Sequence, residues 1–171
     1  MIFNIYHKYT ILLICISTIS VSNNLDAQIQ KNIQTIEIYS SYQTIDILTD
    51  TITFTGKVTL KYKNIDLYAD KILISHIKNT QLPSMIKAYG NPVTLKQIPK
   101  IGHTIFAQSL IVQYNADHHI LSFIGDACIK QADNSIKAEN IIYLINKKQI
   151  KAISNKNKQI ISTLLIKPIN Q

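Results

Sequence analysis

The sequence predicts an all-β protein built from short antiparallel strands. Three observations carry that expectation: a twelve-residue alternation of apolar and polar side chains, its gapless return later in the chain, and turn residues rather than helical stretches between the apolar runs.

The alternation is clearest over Thr51–Tyr62. Ile52, Phe54, Val58, Leu60 and Tyr62 share one parity, and Thr51, Thr53, Thr55, Lys57, Thr59 and Lys61 share the other. Successive side chains of an extended chain point to opposite faces, so this is a half-buried strand, and its β-branched content suits that role. Gly56 falls on the apolar parity and leaves room there for a bend or for something packed close. After the turn signal Lys63-Asn64, Ile65, Leu67 and Ala69 resume the pattern. The parity then changes, so that Ile72 and Ile74 become the inward pair. Such a change inside an extended stretch predicts a β-bulge.

The same series recurs at an offset of 69 residues. Phe54 and Gly56 match Phe123 and Gly125; Val58, Leu60 and Lys61 match Ala127, Ile129 and Lys130; Leu67, Ala69 and Ile72 match Ile136, Ala138 and Ile141. The parity change recurs too, between Ala138 and Ile141. Ala138, Ile141, Ile142 and Ile145 also have helical spacing. Their repeat partners, Ala69 to Ile74, lie in a strand series, so both segments are read as strands. Ile86-Lys87-Ala88 resembles Ile150-Lys151-Ala152 at a shorter offset.

Further strands are expected at Ile33–Tyr39, Ile86–Ala88, Val93–Gln97, Ile105–Tyr114 and Gln159–Ile166. Turns are expected near Asn79–Ser84, at Gly90-Asn91-Pro92, at Pro99–Gly102 and around Asn115–His118. Many short strands without helices or cysteine staples indicate an antiparallel sandwich, a jelly roll or a curled sheet. Its edge strands are natural sites for adding another copy.

Composition bounds the function. In 171 residues, 46% are hydrophobic, enough for one domain with a real core, and only 16% are charged. All 18 basic residues are lysine, the net charge is +8 and the pI is 9.4. A positive surface attracts phosphates of any source. Nucleic-acid binding would bring arginine forks or aromatics interleaved with a basic patch, and neither occurs. The cluster Lys147, Lys148, Lys151, Lys156 and Lys158 reads as a solvated face.

The N-terminus reads as a secretory signal. His7 and Lys8 precede the apolar run Ile11–Ile16, too short for a membrane anchor, and Leu25-Asp26-Ala27 offers a cleavage site. The expected organisation is a signal peptide over 1–27 and one β domain over 28–171. Cleavage leaves Cys128 as a single thiol, read as a small packed apolar residue.

No catalytic constellation emerges. Asp117-His118-His119 reads as a polar hairpin tip, because adjacent side chains on an extended chain diverge and rarely share a metal. Asp66, Asp70 and Glu139 sit on the polar parity or beside the bulge, next to lysines, and read as surface pairs. The nucleophile-elbow, Walker and zinc-protease motifs are all absent. Neither an enzyme nor a cofactor or metal site is expected. The apolar parity is then either the core of a closed structural or adhesive module, or the lining of an open trough for acyl chains. Periodicity leaves both open.

Several blocks resemble the OstA-like domain family of lipopolysaccharide export proteins. They are Ile52-Thr53-Phe54-Thr55-Gly56-Lys57-Val58 with Ile65–Lys71, Ala88-Tyr89-Gly90-Asn91-Pro92-Val93-Thr94, Phe123-Ile124-Gly125-Asp126-Ala127, Asn134–Leu144 and Ala152–Lys156. The resemblance implies a curled antiparallel β-jelly roll whose interior holds the acyl chains of lipid A. It also implies a periplasmic carrier that binds lipopolysaccharide and passes it to the outer membrane. Copies would join head to tail, between an inner-membrane export complex with an LptC-like component and an outer-membrane complex with an LptD-like one. The positions matching the family's lipid-facing residues are Ile36, Ile38, Leu95, Val112 and Ala116. The short apolar run argues against a relative with an uncleaved anchor, and the length against one fused to an outer-membrane barrel.

Overall fold

The computed structural model describes residues 35–76, 83–155 and 157–166. The expected signal segment, the strand start at Ile33 and most of the turn near Asn79–Ser84 lie outside the described residues.

Among the described residues, ten strands form one antiparallel sheet. They are β1 (Glu37–Tyr39), β2 (Tyr42–Asp46), β3 (Thr51–Tyr62), β4 (Ile65–His76), β5 (Pro83–Gln97), β6 (Ile105–Asn115), β7 (Ile120–Gln131), β8 (Asn134–Leu144), β9 (Gln149–Ile153) and β10 (Ile161–Thr163). The long strands β3 to β8 pair in sequence order. Each outer long strand carries two short ones, β1 and β2 end to end along β3, and β9 and β10 end to end along β8.

The duplication read from the sequence is structural. β3 and β7 have bounds 69 residues apart, and the left-handed residues Asp50, Gly56, Lys57 and Lys63 have counterparts in His119, Gly125, Asp126 and Ala132. The repeat reaches further than the sequence reading took it. β1 and β2 together match the unbroken β6, since Tyr39 faces Thr59 as Gln108 faces Cys128, and Tyr42 faces Thr55 as Ile111 faces Ile124. β9 repeats one half of β5, with Ala152 opposite Ile141 as Ala88 is opposite Ile72.

Every long pairing slips near its middle. The shifts fall between Thr55 and Val58, Tyr68 and Lys71, Tyr89 and Val93, Gln108 and Ile111, and Ile124 and Ala127. A bulge bends its strand, and bulges aligned across neighbours bend the whole sheet along one line. We call that line the seam; it divides the sheet into two leaves. The first contains the Lys63-Asn64 turn, and the second contains the 116–119 turn.

Backbone groups released at the seam find side-chain partners, as buried polar groups must. The Ser41 hydroxyl donates to the Gly56 carbonyl at 3.1 Å, and the Ser109 hydroxyl, 1% exposed, donates to the Ile111 carbonyl at 2.8 Å. The Gly125 N–H donates to Asn140 Oδ1 at 3.3 Å, and the Glu139 N–H to the Ser154 hydroxyl at 3.1 Å. Gly56 and Gly125 are required twice over. Their φ angles are +85° and +79°, and a Cβ would come within 2.8 Å of Ser41 and 2.9 Å of Leu110.

Two expectations need correction. Gly90-Asn91-Pro92 does not turn the chain: β5 runs on through it, with a cis Asn91–Pro92 bond, so the separate strands Ile86–Ala88 and Val93–Gln97 are one. The glycine and proline interrupt the ladder, which is what the seam needs, without reversing direction. The C-terminal strand is only Ile161–Thr163, and it pairs with the chain's own β8. The expected bulge at Ala69–Ile72 is present as the β4–β5 slip, while the left-handed residues sit opposite, at Gly56 and Lys57. Pro99–Gly102 and 116–119 lie in turns or bends between strands, Ala138–Leu144 is strand, and Cys128 is buried.

Phe54, Val58, Ile72, Ala88, Val93, Phe123, Ala127 and Ile141 form the buried core along the seam, drawn from both leaves.

Candidate functional site: an apolar groove between the leaves

Away from the seam the leaves enclose a groove with a cavity of about 690 Å³. Leu60, Tyr62, Ile65, Leu67 and Leu95 line it from the first leaf, with Ile36 from the segment before β1. Pro83, Ile86, Ala88, Val112, Tyr114 and Leu121 line it from the second leaf, joined by Ala116, Asp117 and Ile145 from its turns. These lining residues are inward because of strand parity. Leu60 and Tyr62 alternate inward on β3, as Ala88 and Ile86 do on β5, and Pro83 joins them beyond the register shift at Ser75 and His76.

Asp117 is the single charged residue among the fifteen that line the groove. An apolar lining with so little polar chemistry can bury hydrocarbon and can do little else. It offers no nucleophile beside a base. Among the described residues no group of three or more His, Cys, Asp or Glu side chains is placed to hold a metal ion.

Four of the five residues expected at the lipid-facing surface, Ile36, Leu95, Val112 and Ala116, line this groove. Ile38 does not. It packs on the core, paired in register with Leu60, which is itself part of the lining. The expected positions left out the other eleven lining residues, among them Tyr62, Leu67, Ile86, Tyr114, Leu121 and Ile145. Of those named, all but Ile145 carry a signal in hindsight, since they share a parity with buried core neighbours such as Leu60, Ala88, Val112 and Phe123.

The rims of the groove are turns. Lys63 in the first-leaf turn has φ 54°, and its Nζ stands 5.0 Å from the centroid of the Tyr62 ring. On the other rim the Ile145 N–H donates to the His119 carbonyl at 3.0 Å, which ties the 116–119 turn to the 3₁₀ turn Ile145–Lys147. The tip Asp117-His118-His119 is exposed, with the His118 N–H donating to Asn115 Oδ1 at 2.9 Å.

Outside the groove, on the exposed face, Lys158 Nζ lies 3.2 Å from Asp126 Oδ1 and 3.0 Å from Glu139 Oε2. The Glu139 contact is an ion pair without hydrogen-bond geometry. Glu139 first, then Asp126, holds the Lys158 ammonium above its usual pKa. This clasp anchors the segment leading into β10. It pairs Glu139, whose contacting Oε2 is itself buried, with a lysine that is exposed.

Comparison with known proteins agrees with the geometry. Residues 37–149 match the family described as "LptA/(LptD N-terminal domain) LPS transport protein". The lipopolysaccharide export system protein LptA of Escherichia coli K12 is 29% identical over 132 residues, covering 77% of this chain and 71% of its own length. Its counterpart in Haemophilus influenzae is 27% identical over 139 residues, 81% of each chain. Among solved structures, LptH of Pseudomonas aeruginosa, described as the LptA-homologous periplasmic component of the lipopolysaccharide transport device, superposes with a TM-score of 0.69. It is 18% identical and covers 78% of this chain and 96% of its own. A bent antiparallel sheet with an apolar interior, matched over residues 37–149 by the family model, settles the membership: this chain belongs to the LptA/LptD N-terminal domain family of lipopolysaccharide transport proteins.

Proposed function

We propose that this protein carries lipopolysaccharide across the periplasm, holding its acyl chains in the groove between the leaves. The observation that carries the reading is the groove itself, apolar on both walls and open along its rims. Burying hydrocarbon there is favoured by about 0.8 kcal/mol per methylene, so the lipid's tails travel shielded from water. Ile36, Ile38, Leu95, Val112 and Ala116 are the proposed lipid-facing positions, Ile38 acting from beside Leu60.

The protein would reach the periplasm by cleavage after Ala27. Subunits would join head to tail through their edge strands, linking an inner-membrane complex with an LptC-like component to an outer-membrane one with an LptD-like component. Both edges are made of short strands, β1 and β2 at one and β9 and β10 at the other, and among the described residues no further strand pairs with either, which suits strand addition. Transport is by binding and hand-over, with the energy supplied elsewhere.

Photo-crosslinking from Ile36 and Leu95 in cells tests the reading. Crosslinks to lipopolysaccharide at both sites are expected. Crosslinks to protein alone, together with no saturable lipopolysaccharide binding by the purified domain, would leave the closed-core structural module as the better account.

A further inference from the structure

An amphiphile whose tails fill the groove must leave its headgroup at the open side, between the rims. The formal charges at those rims are uneven. Lys63 stands on the first-leaf rim, where a two-residue turn fixes its backbone at φ 54° and its ammonium lies 5.0 Å from the ring of the groove-lining Tyr62. Lys147 and Lys148 stand on the opposite rim, both exposed, in the turn that supplies Ile145 to the lining. The Ile145–His119 hydrogen bond ties that turn to the neighbouring tip, and Lys148 is set at φ 50° with its N–H donating to the Ile145 carbonyl. Asp117 is the one anionic group on the lining.

We propose that Lys63 on one rim and Lys147 with Lys148 on the other form a headgroup site for the phosphates of the bound amphiphile. The inference rests on the groove reading and deepens it. Tails are held by apolar burial, which does not distinguish one acylated lipid from another, whereas compact ammonium charges on both rims select phosphorylated headgroups. The lysines are solvated, so their contribution is electrostatic and salt-sensitive; the screening length falls from about 30 Å at 0.01 M salt to about 3 Å at 1 M. A weak, screenable hold on the headgroup also suits a carrier that must release its cargo.

The test compares lipid A bearing its phosphates with the same lipid after dephosphorylation, both in neutral detergent, by titration against the purified mature protein. The wild type is expected to bind the phosphorylated form about tenfold more tightly at low salt, and the difference should shrink at 1 M salt. The triple variant Lys63→Gln, Lys147→Gln, Lys148→Gln should lose that preference while binding the dephosphorylated lipid as before. A control triple, Lys57→Gln, Lys130→Gln, Lys137→Gln, removes the same charge away from the groove lining and should keep the preference. Equal loss in both triples, or no preference in the wild type, overturns the headgroup site and leaves the groove standing. Failure of the wild type to bind either lipid overturns the groove reading, and the headgroup site with it.

Discussion

Filling the groove from its rim should weaken lipid binding without damaging the fold. Ala116 suits this, because it lines the cavity, lies half-buried in a turn, and bonds only through its backbone, its N–H donating to the Ser84 carbonyl at 3.0 Å and its carbonyl accepting the His119 N–H at 3.4 Å. Ala88 does not suit it: at 1% exposure a larger side chain there would overpack the core. A cavity of 690 Å³ has room for roughly 23 groups the size of a water or a methylene, at about 30 Å³ each. At about 0.8 kcal/mol each, the gross gain from filling it with hydrocarbon is about 18 kcal/mol, set against an association cost of about 4–15 kcal/mol. The net affinity is therefore a small surplus, sensitive to a few methylenes. The six ring carbons of Ala116→Phe displace about six such groups, a gross loss of about 5 kcal/mol. If sliding of the acyl chains recovers half or more, about two to three methylenes remain displaced, a weakening of about 10- to 50-fold. Lipopolysaccharide titration on wild type and variant, with circular dichroism and thermal melting to confirm folding, measures it. A folded Ala116→Phe protein with unchanged affinity refutes the placement of the acyl chains in this groove.

Gly125→Ala should destabilise the protein by about 2 kcal/mol in denaturant titrations, since it combines left-handed backbone with a 2.9 Å clash against Leu110; a loss below 0.5 kcal/mol would contradict the close packing of the seam. Lys158→Gln should speed hydrogen exchange at Ile161–Thr163 by undoing the clasp to Glu139 and Asp126, and unchanged exchange would show that β10 is held by its ladder alone. The Lys158 pKa is raised, so in the wild type this contribution is complete below the usual lysine value of 10.5 and fades only as pH rises through the higher folded value. Protection of β10 should therefore show no loss through this lysine between pH 7 and 9, and a decline in that range assignable to Lys158 would reverse the sign. Asp46, whose carboxylate accepts the N–H groups of Leu48 and Thr49 at 2.9 and 3.1 Å, has a lowered pKa caused chiefly by Thr49. Its turn should stay closed above the usual value of 3.8 and loosen as pH falls through the lower folded one; Asp46→Ala should loosen it at neutral pH, read by amide exchange at Leu48 and Thr49.

Much of this architecture was legible in the chain because it is local. Alternation over Thr51–Tyr62 reports which face of a strand is buried, and the return of the pattern from Phe54 to Phe123 reports a duplicated unit whose strand bounds the structure reproduces. The parity change at Ala69–Ile72 announced an irregularity, and Gly56 announced space. What the chain could not announce was that the irregularities of successive strands line up. That alignment depends on the register of each successive hairpin, such as Tyr89 with Ile111 and Ile124 with Asn140, which no single strand carries. For the same reason Gly90-Asn91-Pro92 reads as a turn in isolation and proves to be β5 crossing the seam. The same apolar parity would line a closed core or an open groove, because both bury the same face of each strand. The sequence by itself determined most of the long strands, the repeat and the scarcity of catalytic side chains, while β2 and the continuity of β5 escaped it. Only the tertiary structure decided how far apart the two leaves stand, and with that gap came room for a lipid.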